Sequence, residues 1–196
     1  IDNEKNIDLI IQNHIEKSCN DLNVSTIDTL LIHRPDQLKD KLGKSIIRSL
    51  EKHKSLGVIN KIGVSIYDPS ELASIVNFHN LDVVQCPINI FDRRMQLSGW
   101  LKKLRKLDIE IHARSVFLQG LFFQDSNDIK GKLLGIKEDL NIIKGIVGKE
   151  DMNDLALNYA YSKEYIDFVL VGIDSVDQLK SNINTIKNSK TENFNH

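Results

Sequence analysis

Apolar residues recur along this chain with two alternating periods, and the alternation predicts the order of the secondary-structure elements. The first segment repeats apolar residues every three or four positions, as one face of a helix does: Ile7, Ile11, Ile15, Cys19 and Leu22. A nearly continuous apolar run at 27–33 follows and is ended by Pro35, which predicts a short strand covered on both faces. Apolar positions between Leu38 and Leu50 then predict a second helix, which stops near Gly57.

The same alternation of strand and helix continues to the end of the chain. Further strands are predicted at 61–66, 82–86, 109–113 and 168–171. A helix through Leu72, Ile75 and Val76 is predicted after a capping box at 68–71, and another is predicted over 100–107. One or two helices are predicted between 133 and 160, and a final helix through Leu179, Ile183 and Ile186. The last of these helices opens with a second capping box, Ser175 to Gln178.

A leading helix followed by five strand–helix units predicts an α/β protein with a parallel sheet and right-handed crossovers. Two architectures fit this order. A doubly wound open sheet would be complete at five strands, but no Gly-rich phosphate turn follows any strand. The other architecture is part of an eight-stranded barrel, which normally needs about 250 residues. We expect one domain over 1–187 and a polar tail at 188–196.

Composition narrows the class of protein further. The 196 residues are 41% hydrophobic and carry a formal net charge of −1, so the sequence gives no electrostatic footprint for nucleic acid or an anionic membrane. No apolar run reaches the roughly 18 residues of a membrane span. Cys19 and Cys86 lack metal-type spacing and are expected to be buried free thiols of a reducing compartment, the cytoplasm. The sequence begins at Ile1 with neither a Met nor a signal peptide, so either it is processed or something precedes it.

Five motifs stand in order at the ends of the predicted strands. They are Leu-Ile-His-Arg-Pro at 31–35, Ile-Gly-Val-Ser at 62–65, the run 84–94, the run 113–121, and Val171-Gly172 with the helix start that follows. Together these motifs resemble the fourth to eighth strands of the aldo-keto reductases. The resemblance extends from about residue 10 to residue 186 and implies a partial (β/α)8 TIM barrel of five strand–helix units with a leading helix, in which strands one to three of the family are absent.

The resemblance implies an oxidoreductase that reduces a small-molecule aldehyde or ketone with NADPH or NADH. The family uses an Asp, a Tyr, a Lys and a His for this reaction, and of these only the histidine has a counterpart here, His33. From its position alone, His33 would be read as a satisfied core histidine, whereas the resemblance favours the catalytic role. Because the other three residues come from the first three strands of the family, we expect that the chain as given cannot complete the reaction. A catalytically silent binding or assembly module remains the alternative.

The resemblance also assigns the nicotinamide and pyrophosphate contacts. Ser65 and Gln85 match positions that bind the nicotinamide carboxamide, although a buried amide satisfied by backbone is an alternative for Gln85. Ile66 stands where the family commonly has Asn. Arg114 stands where many members stack a tyrosine, and its guanidinium could stack or reach a phosphate or an anionic substrate. The residues implied to line the pyrophosphate are Ser115, Phe117, Gln119 and Gly120.

The adenosine end of the cofactor is implied to lie against the last loop and helix start. The matching residues are Gly172, Asp174, Ser175, Gln178 and Asn182. Members that prefer NADP usually place Lys or Arg around the 2′-phosphate, but this loop offers Asp174, whose carboxylate repels phosphate and suits a ribose hydroxyl. We therefore expect NADH to be used at least as well as NADPH. No His or Cys spacing predicts a metal site.

Overall fold

The computed structural model describes residues 3–39, 41–76, 80–125, 128–129, 131–148 and 151–189, and in these ranges strands alternate with helical segments. The helices are α1 (Asn3–Leu22), α2 (Lys41–Ser55), α3 (Arg94–Leu97), α4 (Trp100–Lys106), α5 (Lys137–Val147), α6 (Met152–Tyr161) and α7 (Val176–Asn188). The strands are β1 (Ile27–Ile32), β2 (Ile59–Ser65), β3 (Val83–Pro87), β4 (Glu110–Arg114) and β5 (Phe168–Val169). Short 3₁₀ segments lie at Pro35–Leu38, Pro69–Glu71, Leu118–Phe123 and Gly131–Ile136.

The strand order distinguishes between the two predicted architectures. The five strands form one sheet in the order β1-β2-β3-β4-β5, and the pairings of β1 with β2, of β2 with β3 and of β4 with β5 are parallel. A doubly wound sheet reverses its strand order at a switch point, whereas a barrel adds each strand beside the previous one. The observed order follows the chain without reversal, which excludes the doubly wound alternative.

The chain folds into two compact units. Unit 1 contains Ile1–Cys86 and Lys102–Ile111, and unit 2 contains Pro87–Leu101 and His112–His196. The single domain over 1–187 therefore stays a prediction, and the predicted polar tail falls mostly on residues 190–196, which lie outside the described residues. Within the described ranges, no helix has both the length and the apolar character that a membrane span requires.

Unit 1 is built on β2, whose apolar residues Ile59, Ile62 and Val64 are at most 1% exposed. The prediction that β1 is covered on both faces was wrong. Of the apolar residues of β1, Ile32 is buried and the others are only partly buried, because β1 is the first strand of the sheet and pairs with β2 alone.

The segment after β2 keeps its predicted capping box but is not the predicted α-helix. Asp68 accepts the Ser70 backbone N–H at 2.9 Å, and the Glu71 carboxylate accepts the Asp68 N–H at 2.8 Å. The chain then continues to Val76 as tight turns, in which the Ile75 N–H donates to Leu72 O. Leu72 and Ile75 are nevertheless both buried. They lie on the same side of the segment, because turns with 3₁₀-type hydrogen bonds repeat every three residues.

Unit 2 has its own apolar core, formed by Val116, Leu121, Phe122, Ile129, Leu140, Met152, Ala156 and Ala160. The final predicted helix is confirmed as α7, but the apolar residues that predicted it are not its buried ones: Leu179 and Ile183 are 42% and 43% exposed, whereas Thr185 is only 5% exposed. The reason is a polar contact with α6, in which Thr185 Oγ1 donates to the Asp154 carboxylate.

Two further predictions are corrected by the described residues. The last strand was predicted at 168–171 but is limited to the two residues of β5. Both cysteines are free thiols, but only Cys86 is buried, since Cys19 on α1 is partly exposed.

Candidate functional site

His33 follows the last residue of β1 directly, at the carboxyl end of a parallel strand. The histidine is exposed, so the alternative of a satisfied core histidine is wrong. Its imidazole meets the ring of Tyr67 edge to face, with 6.5 Å between the ring centroids. Both rings line a cleft of about 520 Å³ in unit 1, together with polar residues such as Arg34 and Glu71. Sequence reasoning had not placed Tyr67 near His33.

Ser65 and Gln85 are partners in the register of β2 and β3; Ser65 is the last residue of β2 and Gln85 is the middle residue of β3. Ser65 is 3% exposed, and its hydroxyl donates to Gln85 Oε1 at 3.2 Å. The Gln85 side chain is therefore held by a side chain rather than by backbone. Its Nε2 group has no acceptor among the residues that the structure describes, so two N–H donors remain for a ligand carbonyl.

Unit 2 contains a cleft of about 530 Å³ at the ends of β4 and β5. Eight of the twelve residues predicted for the cofactor line it: Ser115, Phe117, Gln119, Gly120, Gly172, Asp174, Gln178 and Asn182. Asn153 and Ser181 also line it, and sequence reasoning missed both because they belong to no motif. Arg114 and Ser175 are not among the lining residues, and Ser65 and Gln85 belong to unit 1.

The wall of this cleft that follows β4 has an unusual backbone. Ser115, Leu118, Gln119 and Gly120 all have positive φ, with values of 58°, 48°, 55° and 82°. Only glycine adopts this region without steric cost, so three non-glycine residues there require support from their surroundings. Asn89 supplies part of this support, since its Nδ2 donates to Ser115 O at 3.1 Å.

Asn89 is itself fixed, because it is 1% exposed and its Oδ1 accepts the Phe91 and Asp92 backbone N–H groups at 3.0 and 2.9 Å. Asn89 lies within the sequence motif at 84–94, and no function was predicted for it. The structure assigns it the support of the turn at Ser115.

Arg114 ends β4 and is half-buried. Its Nη1 donates to the Ser115 hydroxyl at 3.1 Å, so the guanidinium contacts a residue of the cleft wall. The three roles that the sequence left open for Arg114 therefore stay predictions.

The opposite wall is the start of α7. Ser175 is the N-cap residue, and its hydroxyl accepts the Gln178 backbone N–H at 3.2 Å. The predicted capping box is only half formed, because the Gln178 side chain accepts the backbone N–H of Asp174, at 2.7 Å, rather than that of Ser175. One turn further, Asn182 is only 8% exposed and lines the cleft, and its amide has no hydrogen-bond partner within the described ranges.

The charges around the cleft are few. Asp174 is the only charged residue among its described lining residues. Outside the cleft lining, burial raises the pKa of Tyr159 on α6 and lowers the pKa of Lys163 just after it, whose Nζ lies 4.0 Å from the Tyr159 ring centroid. In the described part of the chain, no three His, Cys, Asp or Glu side chains are placed to hold a metal ion.

Solved structures share this arrangement of strands and helices. The apo form of aldo-keto reductase AKR11C1 from Bacillus halodurans matches with a TM-score of 0.79 and 21% identity, covering 92% of this chain and 63% of that chain. Its holo form matches with a TM-score of 0.76 and 22% identity, covering 92% and 62%. The likeness confirms the predicted fold, a partial (β/α)8 barrel.

Sequence comparison points the same way. The chain is 23% identical over 174 residues to Uncharacterized oxidoreductase YcsN of Bacillus subtilis (strain 168), which covers 88% of this chain and 56% of that protein. The chain thus spans less than two thirds of the length of the relatives it matches. A model of the Aldo/keto reductase family matches residues 4–195. The chain therefore belongs to the aldo/keto reductase family of oxidoreductases.

Proposed function

We propose that this chain supplies the histidine and the nucleotide-binding cleft of an NAD(P)H-dependent reductase of small-molecule aldehydes or ketones. The observation that carries the proposal is the cleft in unit 2, where eight residues predicted to bind the cofactor lie along one cavity. Aldo-keto reductases generally use a nicotinamide dinucleotide and act on carbonyl compounds, and the family membership of the chain supports the same chemistry here.

The cleft fits a dinucleotide for two physical reasons. Asn182 lines the cleft, and its amide has no partner in the described chain, so its N–H donors and its oxygen are available to a ligand. The start of α7 borders the same cleft, where the carboxylate of Asp174 offers an acceptor to a ribose hydroxyl. Ser115, Gln119 and Gly120 would hold the pyrophosphate from the other wall.

In unit 1, Ser65 and Gln85 would bind the nicotinamide carboxamide. The Ser65 hydroxyl holds Gln85 Oε1, so the Gln85 Nε2 group is oriented to donate to a carboxamide oxygen. The bound dinucleotide would supply the hydride. The residues of this chain would hold the nicotinamide ring in one orientation, which is the contribution that a protein makes to cofactor chemistry.

His33 would bind the substrate carbonyl. An exposed imidazole at a strand end is free to donate an N–H hydrogen bond to the carbonyl oxygen, which both orients the carbonyl and stabilises negative charge on its oxygen. The chain contains no counterpart of the family's Asp, Tyr and Lys within the matched motifs, so we propose that the 196 residues alone bind the cofactor without completing turnover.

The cofactor preference follows from the charge of the cleft. Asp174 is its only charged described residue, and a carboxylate repels a 2′-phosphate but accepts a hydrogen bond from a ribose hydroxyl. We therefore propose that NADH binds at least as tightly as NADPH. Measured dissociation constants of the two reduced cofactors test this, and a strong preference for NADPH would contradict it.

The experiment that tests the function measures NADH binding by nicotinamide fluorescence and aldehyde-dependent NADH oxidation, with the protein in its natural full-length form. His33→Leu removes the imidazole donor and should lower turnover by about 10²- to 10³-fold while leaving the dissociation constant of NADH unchanged. Asn182→Leu should weaken NADH binding. His14→Leu, at an exposed position of α1, is the matched control and should change neither quantity.

The outcomes separate the two candidate functions. Failure to bind either nucleotide would refute the reductase. Tight binding of NADH without carbonyl-dependent oxidation in the full-length protein would instead favour the catalytically silent binding module.

A further inference from the structure

The Gln178 side chain turns back along α7 instead of pointing along the helix surface. Its Oε1 accepts the Asp174 N–H at 2.7 Å, and its own backbone N–H donates to the Ser175 hydroxyl at 3.2 Å. These two bonds close residues 174–178 into a compact ring at the start of the helix. The family resemblance implied a different role for Gln178, that of a direct contact to the cofactor.

This ring uses one of the two lone pairs of Gln178 Oε1, so the position of the side chain is set by the Asp174 backbone. Asp174 is an exposed residue that lines the cleft, and its backbone N–H is bonded by Gln178. Because Asp174 is the one charged residue among the described lining residues, its carboxylate adds negative charge at this end of the cleft.

The start of α7 would by itself attract an anion, but its first turn already contains the carboxylate of Asp177. A second fixed carboxylate, that of Asp174, adds to the negative charge there. A dianionic phosphate at this end is therefore disfavoured, whereas a hydroxyl group meets an acceptor. The strength of this discrimination depends on how firmly Asp174 is held.

We propose that Gln178 is a positioning residue: by accepting the Asp174 N–H it holds the Asp174 carboxylate at the cleft wall, and so sets the preference of the cleft for a nucleotide with a free 2′-hydroxyl over one with a 2′-phosphate. This inference rests on the proposed function, since it takes the cleft to be the site of the nucleotide. It differs from that function in assigning Gln178 an action through Asp174 and not through the ligand.

The test compares the dissociation constants of NADH and NADPH for two Gln178 variants. Gln178→Met keeps the length of the side chain but removes the acceptor, and should lower the NADH-over-NADPH preference about 5-fold, the effect of one hydrogen bond of about 1 kcal/mol. Gln178→Glu retains an acceptor and adds a carboxylate to the cleft lining, so the preference for NADH should not fall. Asn184→Met, at an exposed position further along α7, is the matched control and should not change it.

A double-mutant comparison identifies the route of the effect. Asp174→Asn alone should lower the preference, and adding Gln178→Met to it should lower the preference no further, because the carboxylate that Gln178 positions is already gone. If Gln178 instead touched the cofactor, Gln178→Met would weaken both nucleotides by similar factors, and its effect would add to that of Asp174→Asn. Either result would overturn the proposal.

Amide hydrogen exchange gives a readout that needs no nucleotide. The Asp174 N–H should exchange slowly in the parent protein and in Gln178→Glu, and should lose this protection in Gln178→Met. Fast exchange of the Asp174 N–H in the parent would refute the positioning role even if NADH binds. Protection of this amide without any nucleotide binding would refute the proposed function and, with it, the specificity role.

Discussion

Gly63 is the residue at which one added methyl group tests the packing of β2 between β1 and β3. A Cβ built on Gly63 would lie 2.6 Å from Leu31 Cδ2, 2.7 Å from Val83 O and 2.8 Å from Val83 Cβ. All three distances are below 3.0 Å, which real Cβ atoms essentially never show. The Leu31 methyl group can rotate away, but the Val83 contacts involve the sheet backbone. The β2–β3 spacing must therefore widen if Gly63 becomes alanine.

The expected magnitude follows from two opposing effects. Inserting a methyl group into a packed core costs about 1–3 kcal/mol. Restricting the unfolded chain by replacing glycine with alanine returns about 0.4–1 kcal/mol. The midpoints of the two ranges differ by about 1.3 kcal/mol, so we expect Gly63→Ala to lower the free energy of unfolding by about that amount. The same shift would disturb the 3.2 Å hydrogen bond between Ser65 and Gln85, two residues further along the register.

Gly145 on α5 is the matched control. Its Cβ would meet no atom within 4 Å and its φ is not positive, so Gly145→Ala should raise the free energy of unfolding by about 0.5–1 kcal/mol through helix propensity. Urea denaturation followed by far-UV circular dichroism measures both variants. If Gly63→Ala is as stable as the parent protein while Gly145→Ala is more stable, the packing argument is refuted.

Two further predictions concern carboxylates of unit 1. The Asp82 carboxylate accepts the N–H of buried Ile62 at 2.8 Å and two hydrogen bonds from Lys54 at 2.6 Å. Asp82→Ala should therefore lower the free energy of unfolding, measured by urea denaturation, by about 1–3 kcal/mol. A loss under about 0.5 kcal/mol would contradict the reasoning. Hydrogen bonds from Lys52 and a serine lower the pKa of Asp8 below its usual 3.8, so its contribution to stability is complete above that value and is lost as the pH falls through the folded pKa. The stability difference between the parent and Asp8→Asn should therefore be present near neutral pH and disappear in acid; a pH-independent difference would contradict this.

The order of elements was predictable because apolar periodicity is a local property of the sequence. The alternation of apolar and polar positions at 109–113 predicts β4, and the observed burial alternates in the same way. The burial of β1 was not predictable, because a continuous apolar run looks the same in a central strand and at the edge of a sheet.

The buried face of α7 could not be predicted from its apolar pattern, for a different physical reason. Periodicity assumes that the buried stripe is apolar, but Thr185 is buried through its bond to Asp154, a residue 31 positions earlier in the chain. Such a pair of polar side chains carries no local signal. The pairing is visible only once α6 and α7 are packed.

The candidate site was predictable where motifs carried it. The motif at 113–121 and the loop and helix start at 172–182 contain eight residues that line one cleft. Asn153 and Ser181 were missed because they are ordinary polar residues on helices, and Gln178 was recognised with the wrong bond partner. A capping-box pattern specifies which residue types meet but not which of two adjacent N–H groups is bonded.

The short pairing of β4 with β5 has a consequence for how the chain folds. His112 pairs with Phe168, whereas Gly63 pairs with Val83, so the chain that must close to join β4 to β5 is nearly three times as long as that between β2 and β3. Loop closure over that length costs about 0.9 kcal/mol more, and the β4–β5 ladder of the described residues contains two residue pairs. We therefore expect β5 to join its neighbour late in folding and to open first in the native state. Since Gly172 and the start of α7 follow β5 directly, a nucleotide bound there would lock the part of the molecule that opens most readily.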